Sequence, residues 1–149
     1  MTKLNITNKK ARYDYEILDS LETGIVLRGH EVKSIREGKA SIKEAYAKII
    51  NNELWLVNAN ISRFKNYTCR EYDPTRTRKL LIKKSELNKL IGKVKEKGLA
   101  LVPLAMYLKN NKLVKLEIGI GKGKKKYDKR ETIKKKQLDQ ELKRKFGRN

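Results

Sequence analysis

The stretch LALVPLAMYLKNNKLVKLEIGI, residues 99–120, carries the clearest strand pattern in the chain. Residues 99–108 are almost wholly apolar, and Pro103 within them favours a bulge or an edge position. The Asn110-Asn111 pair favours a turn, because asparagine tolerates the positive φ of tight turns. After the turn, apolar residues occupy every second position from Val114 to Ile120. This alternation predicts a strand with one face in the core and the other in water.

Shorter strand signals precede this stretch, each indicated by alternation or by β-branched content. They cover residues 13–21, 25–27, 45–50, 54–57 and 79–82. The Thr23-Gly24 pair predicts a turn after the first of them. Asn51-Asn52-Glu53 predicts a hairpin turn between two others, for the same conformational reason as the second asparagine pair.

Two helices are predicted among these strands. Residues 28–37 place two apolar side chains three residues apart between glycines, which favours a short helix. A longer helix should begin with Ser85 as its N-cap and end at Gly98. The pattern predicts a mainly β fold, an OB-like antiparallel β-barrel with flanking short helices, and a small sandwich is the alternative.

The chain divides by charge into a basic N-terminal arm (residues 1–12), the barrel (residues 13–120) and a basic C-terminal tail (residues 121–149). The tail contains 13 Lys or Arg against 4 Asp or Glu and few large apolar side chains. Burial therefore cannot offset the entropy cost of ordering it. We expect a tail that is disordered when free and becomes helical where a polyanion neutralises it.

A formal net charge of +21 over 149 residues indicates a protein that binds phosphate backbones. A membrane partner is disfavoured, because no apolar stretch approaches the roughly 18 to 20 residues of a spanning helix. Cys69 is the single cysteine and His30 the single histidine, so we expect no disulfide, no metal site and no cofactor. The simplest compartment is a reducing cytoplasm. No catalytic motif is present, so an enzyme is not expected.

Several basic and aromatic residues are candidate RNA contacts, each with a simpler structural explanation. Lys9, Lys10 and Arg12 lie next to Tyr13 and Tyr15, which favours phosphate contacts beside a stacking ring. The alternative, that these tyrosines are ordinary strand residues, is as good for Tyr15 and weaker for Tyr13. Lys33 and Arg36 follow a helical period and form either a basic edge or a solvated face. The remaining loop candidates are Arg76, Arg78 and Lys79.

Carboxylates within this basic chain are also informative. The candidates near turns are Glu22, Glu31 and Asp73, and a lone carboxylate in an RNA-binding surface can accept from a base amino group or hold an arginine. In the tail, the run Tyr127-Asp128-Lys129-Arg130 combines a ring, a carboxylate and cations. That combination suits a folded RNA pocket better than a random basic tail does.

Three long motifs resemble one known family. They are NKKARYDYEILDSLETGIVLRGHEVKSIREGKASI, DPTRTRKLL and GKGKKKYDKR, within residues 8–130. Together they closely resemble small protein B, the SsrA-binding family that works with transfer-messenger RNA (tmRNA) in bacterial trans-translation. The resemblance implies an OB-like barrel that holds the tRNA-like domain of tmRNA and accompanies it into a stalled 70S ribosome.

The resemblance also implies site residues. Those that match the family's tmRNA contacts are Asn8, Glu22 and Leu81, with basic neighbours Lys9, Lys10, Arg12, Lys33, Arg36 and Lys122. The tail would enter the empty mRNA channel, near the decoding centre and its rRNA. The tail residues concerned are Lys124, Lys125, Tyr127, Asp128, Lys129, Arg130, Lys134 and Leu138. Elongation factor Tu is an expected partner through the shared aminoacyl-tmRNA, and we expect a monomer.

Two tail residues depart from the family pattern. Tyr127 stands where many relatives carry histidine, so the ring is retained but a proton that titrates near neutrality is lost. Leu138 stands where some relatives carry tryptophan.

The alternative function, which composition alone does not separate from the adaptor, is a structural ribosomal protein whose basic tail threads through rRNA.

Overall fold

The computed structural model of the protein describes residues 5–110 and 112–124. The strands in these residues are β1 (Asn5–Thr7), β2 (Tyr15–Ile25), β3 (Ala40–Ser41), β4 (Tyr46–Ile50), β5 (Glu53–Val57), β6 (Asn60–Ile61), β7 (Arg78–Leu81), β8 (Ala100–Lys109) and β9 (Leu113–Gly123). The helices are α1 (Lys9–Asp14), α2 (Gly29–Arg36) and α3 (Lys84–Lys97). The predicted mainly β class with flanking short helices is confirmed.

Seven strands form one antiparallel sheet in the order β1-β8-β4-β5-β7-β2-β9, and β9 also pairs with β8. Six of these strands therefore close into a ring, which is the arrangement that a barrel requires. The pairing within the ring is shortest between β4 and β8, where Ala47 and Leu101 form the one residue pair. Strand β1 pairs with the edge of β8 that also pairs with β4, through residue pairs from Asn5↔Tyr107 to Thr7↔Ala105.

The main core lies inside this ring because the strands alternate between buried and exposed residues. Leu56, Met106, Leu116 and Ile118 are completely buried there. Helices α2 and α3 add Ile35, Leu87 and Leu90 to the same core. A second, smaller cluster lies outside the ring, where α1 covers β8 with Ala11 against Val102 and Leu104.

The N-terminal region differs from the sequence-based expectation. Residues 5–7 pair with β8 and residues 9–14 form α1, so residues 5–12 of the predicted arm belong to a strand and a helix that pack on the ring. The turn expected at Thr23-Gly24 is also wrong, because β2 continues through these residues to Ile25. A bulge between Ile17 and Asp19 lets this long strand bend while it pairs with β9.

Several local predictions are confirmed. Asn51 and Asn52 have positive φ in the β4–β5 turn, as does Asn110 in the β8–β9 turn. The bulge predicted at Pro103 appears as a register shift between Pro103 and Ala105. Helix α3 ends at Gly98 in the left-handed conformation as expected, but its N-cap is Lys83 rather than Ser85.

None of the helices in the described part of the chain is long and apolar enough to cross a membrane.

Candidate nucleic-acid interface

The outer surface of β7, β2, β9 and β8 unites side chains from distant parts of the chain. Leu81 pairs with Gly24 across β7 and β2, and Gly24 pairs with Lys115 of β9. Lys115 in turn pairs with Tyr107 of β8. Directly paired residues point to the same side of a sheet, and the residues that alternate with them are buried in the core. This row of side chains therefore faces outward.

Glu22 lies on the same surface, because it is two residues from Gly24 along β2. Its Oε2 accepts a hydrogen bond from the Tyr107 hydroxyl, and its Oε1 accepts one from Lys109 Nζ at 3.0 Å. We call this surface the Glu22 face. Its members are Glu22, Leu81, Tyr107, Lys109, Lys115 and Glu117.

The protonation states on the Glu22 face are fixed by these contacts. The hydrogen bonds from Tyr107 and Lys109 lower the pKa of Glu22, so its carboxylate stays ionised. Burial and the bond to Glu22 raise the pKa of Tyr107 to about 12, so its hydroxyl stays a donor. A carboxylate offers about four acceptor positions. Glu22 therefore keeps acceptor positions for an amino group of a nucleic-acid base.

Asn8 is buried and holds α1 against the ring. Its Nδ2 donates to the Ile42 carbonyl at 3.0 Å and to the Pro103 carbonyl at 2.9 Å. Its Oδ1 caps α1 by accepting from the Ala11 N–H at 3.2 Å. Both amide protons are thus used inside the protein, so Asn8 positions α1 and its amide is not presented at the surface.

The cations of α1 lie at the surface beside the Glu22 face. Lys9 is exposed, and Lys10 Nζ is 2.9 Å from Glu44 Oε1, a hydrogen bond that raises the pKa of Lys10. Arg12 Nη2 is 4.0 Å from Glu117 Oε1, which connects α1 to the Glu22 face. Tyr13 is half-buried on the same helix.

Lys122 and Lys124 lie where β9 leaves the ring. Lys122 is exposed and pairs with Glu16 of β2, and the Lys124 N–H donates to the Asp14 carbonyl at 2.9 Å. The chain therefore passes α1 as it enters the tail. The other tail residues predicted to act on the ribosome lie outside the described residues, as does the predicted order of the tail; they are Lys125, Tyr127, Asp128, Lys129, Arg130, Lys134 and Leu138.

Lys33 and Arg36 belong to a different surface. Both are exposed on α2, which packs against β6. Lys33 Nζ lies 5.5 Å from the centre of the Phe64 ring, within the range of a cation–π contact. These two candidates therefore lie beside the two-stranded β3–β6 sheet, whereas Glu22 and Leu81 lie on the seven-stranded sheet.

Arg76 in the loop before β7 and Arg78 at the start of β7 bind Glu31 and are not free to bind RNA as the sequence suggested. Arg78 is completely buried and donates to Glu31 Oε2 at 2.7 and 2.9 Å, and Arg76 also binds this carboxylate. The Tyr72 hydroxyl donates to the same oxygen at 3.0 Å. Burial alone would raise the pKa of Glu31, but the hydrogen bonds from Arg76, the Arg28 N–H and Arg78 outweigh it and lower that pKa to about 2.

His30 is a packing residue. Its ring stacks on Tyr67 with the ring centres 3.7 Å apart and meets the edge of Tyr72. Burial lowers its pKa, so the neutral imidazole is favoured. Within residues 5–110 and 112–124, no group of three or more His, Cys, Asp or Glu is placed to hold a metal ion.

Sequence reasoning missed Tyr107, Lys109 and Lys115 as members of the face. Their signal was present, since Tyr107 and Lys109 share one face of β8 by alternation. The turn at Asn110 then sets Tyr107 opposite Lys115. What the sequence lacked was the register of β2 on β9, which brings Glu22 to these residues.

Comparisons with known proteins point to one family. The family model described as "SmpB protein" matches residues 5–148. The SsrA-binding protein of Halothermothrix orenii is 51% identical over 144 residues, covering 97% of this chain and 92% of the relative. That of Alkaliphilus oremlandii is 54% identical over 145 residues, covering 95% and 93%.

A solved structure described as "tmRNA-SmpB: a journey to the center of the bacterial ribosome" superimposes with a TM-score of 0.68. It is 43% identical to this chain and covers 83% of it and 86% of the solved chain. The family match, the relatives and the shared fold agree over nearly the whole sequence. The chain therefore belongs to the SmpB family.

Proposed function

We propose that this protein is a tmRNA-binding adaptor of trans-translation. The observation that carries the proposal is the assembly of Glu22 and Leu81 on one outward face, in a chain whose relatives are named SsrA-binding proteins. The solved relative is described together with tmRNA and the ribosome, which favours the adaptor over a structural ribosomal protein. We infer no catalytic step for this chain, because the name of its relatives describes RNA binding and not a reaction.

The Glu22 face supplies the specific contact with the tRNA-like domain. Glu22 accepts from base amino groups, Leu81 gives an apolar contact with its 52% exposed side chain, and Lys109 and Lys115 bind phosphates. Arg12 and the exposed lysines of α1 extend the phosphate-binding area. Asn8 serves the same surface indirectly, because it fixes α1.

The basic tail serves a second partner, the stalled ribosome. Its segment from Lys125 to Leu138 binds rRNA along the empty mRNA channel, and its high charge makes that binding depend on phosphate neutralisation. Lys33, Arg36 and Lys122 add backbone contacts. The protein acts as a monomer in the cytoplasm, and elongation factor Tu joins it through the shared aminoacyl-tmRNA.

The test is Glu22→Ala, with Glu16→Ala as the matched control. Both residues are exposed carboxylates of β2. We expect Glu22→Ala to weaken binding to the tRNA-like domain about 10-fold, the loss typical of a hydrogen bond to a charged group. Glu16→Ala should change it less than about 2-fold, since it removes only a surface charge.

Binding is measured by fluorescence anisotropy across a salt series, with an unrelated RNA of equal length as the second ligand. Binding to that RNA should be nearly unchanged by Glu22→Ala and should fall steeply with salt. Equal losses for both RNAs, or equal effects of the two substitutions, would show that the Glu22 face is not a specific reader.

A further inference from the structure

A second outward surface lies on β4, β5 and β7. Lys48 pairs with Trp55, and Trp55 pairs with Lys79, so one ring stands between two lysines on adjacent strands. Ile50 lies two residues from Lys48 along β4 and therefore faces the same way. We call this surface the Trp55 face; its members are Tyr46, Lys48, Ile50, Trp55 and Lys79.

The aromatic and apolar side chains of the Trp55 face are not core residues. Tyr46 is 46% exposed and Ile50 is 41% exposed, while Trp55 is half-buried. The residues that alternate with them, such as Ala47, Leu54 and Leu56, fill the core instead. The rings are therefore available to a partner without any change in the fold.

The Trp55 face meets the Glu22 face only along β7, where Lys79 and Leu81 lie two residues apart; the other members of the two faces lie on different strands. Around the closed ring β8-β4-β5-β7-β2-β9, β5 is three strands from β9 in either direction. Trp55 on β5 and Lys115 on β9 therefore stand on opposite sides of the ring. One RNA segment bound to the Glu22 face leaves Trp55 open to another.

A shallow cleft of about 280 Å³ adjoins the indole and is lined by Ile50, Asn51, Glu53, Trp55 and Thr77. Its volume is just below the roughly 300 to 1,000 Å³ of pockets for drug-sized ligands. It therefore suits one planar group better than a whole ligand. Lys79 Nζ lies 3.2 Å from Glu53 Oε2 at the edge of this cleft.

We propose that the Trp55 face is a second RNA contact, on which an unpaired base stacks on Trp55 while Lys48 and Lys79 bind the flanking phosphates. Rings bordered by cations are the usual combination in sites for single-stranded nucleic acid. Lysine is depleted from protein–protein interfaces, so a protein partner fits this surface less well. To bind a phosphate, Lys79 must leave its ion pair with Glu53. Because that pair is exposed, breaking it costs little free energy.

Trp55 is the only tryptophan of the chain, so its fluorescence reports on this surface alone. The full-length protein is titrated with a single-stranded ten-nucleotide oligo(A), and binding is followed in parallel by the anisotropy of a labelled copy. We expect binding to quench the tryptophan emission, and Glu22→Ala to leave that quenching unchanged. Failure of the Glu22 face as a specific reader is thus distinguishable from failure of this proposal.

Variants test the stacking and the charge separately. Trp55→Leu, which retains an apolar side chain over the barrel, should weaken oligo(A) binding about 10-fold, as loss of one stacked base does. Lys48→Ala should weaken it more than Lys89→Ala, which removes an exposed lysine from α3. Circular dichroism establishes that each variant is folded before its affinity is compared.

Three results would overturn the proposal. One is unchanged Trp55 emission when anisotropy shows that oligo(A) is saturating. Another is an equal affinity loss for Lys48→Ala and Lys89→Ala, which would mean that net charge alone binds the oligonucleotide. The third is quenching that rises with protein concentration in the absence of RNA, which would assign the face to a second copy of the chain.

Discussion

Glu31 shows how one buried charge is made tolerable in a small basic protein. Its side chain is fully buried and accepts hydrogen bonds from Arg76, Arg78, Tyr72 and the Arg28 N–H. A buried carboxylate is costly unless it is paired and hydrogen-bonded in this way. The cluster therefore fastens α2 to the start of β7 and to the loop that precedes it.

We predict that Glu31→Gln destabilises the fold by about 3 to 5 kcal/mol, because it leaves the buried Arg78 guanidinium without its counter-charge. The measurement is urea unfolding followed by circular dichroism. The matched control is Glu37→Gln, which removes an exposed carboxylate 3.3 Å from Lys39 Nζ and should cost no more than about 1 kcal/mol. Similar losses for the two variants would contradict a special role for the cluster.

The same residue predicts a pH dependence of stability. The pKa of Glu31 is lowered from its ordinary 4.5 to about 2 in the folded state. Its contribution to the free energy of unfolding is therefore complete above pH 4.5 and is lost as the pH falls toward 2. Unfolding of the unsubstituted protein and of Glu31→Gln at several pH values checks this, because their difference should shrink across that window. A constant difference would be contrary evidence.

At the scale of elements, α1 packs on the sheet because Gly119 leaves room for Leu104. A Cβ at position 119 would lie 2.8 Å from Leu104 Cδ1. Leu104 is itself almost completely buried in the cluster that contains Ala11. The close approach of helix, leucine and glycine sets how near α1 comes to β8 and β9.

We predict that Gly119→Ala destabilises the protein by about 1 to 3 kcal/mol through overpacking. Gly92→Ala is the control, since a Cβ there meets nothing within 4 Å on α3. It should stabilise the protein by about 0.5 to 1 kcal/mol, as expected for a helical glycine. Thermal unfolding measures whether each substitution lowers or raises the stability of the protein. A stabilising Gly119→Ala would show that the Leu104 side chain can move away from the added methyl group.

The elements that the sequence predicted are those whose signals are local. The asparagine turns, the stop of α3 at Gly98 and the alternation in β9 depend on neighbouring residues. Helix α1 was missed because its cap, Asn8, is fixed by carbonyls at positions 42 and 103, far away in sequence. Strand β2 was divided wrongly because the Thr23-Gly24 pair is typical of turns, yet pairing with β9 and β7 keeps it extended.

The residues of the candidate site also divide into those that local sequence patterns identify and those that only the folded structure brings together. The family motifs identified Glu22 and Leu81, but only strand register shows that they share a surface with Tyr107 and Lys109. Arg78 looked like an RNA contact because its charge is visible in the sequence and its burial is not. Its partner Glu31 lies 47 residues away, beyond any local pattern.

At the scale of the whole molecule, the proposed function assigns the barrel and the tail to different partners. We predict that deletion of residues 129–149 changes affinity for the tRNA-like domain by no more than a few-fold, because the Glu22 face is complete without them. The same deletion should abolish tagging of stalled products in a reconstituted translation system. Its control is Glu22→Ala, which should weaken that affinity about 10-fold and reduce tagging with it. An equal affinity loss for the two variants would reject this division.

The pairing of β2 with β9 also bears on how the protein is made. Tyr15 is paired with Gly123. Because translation proceeds from the N-terminus, β2 is synthesised early and cannot pair with β9 until synthesis is nearly complete. A nascent chain released before residue 113 has no β9, and its β2 and β8 keep unpaired edges, which are templates for aggregation. A truncated mRNA for this protein therefore gives an incompletely folded chain, which is a substrate for proteases and chaperones, rather than a partly active fragment.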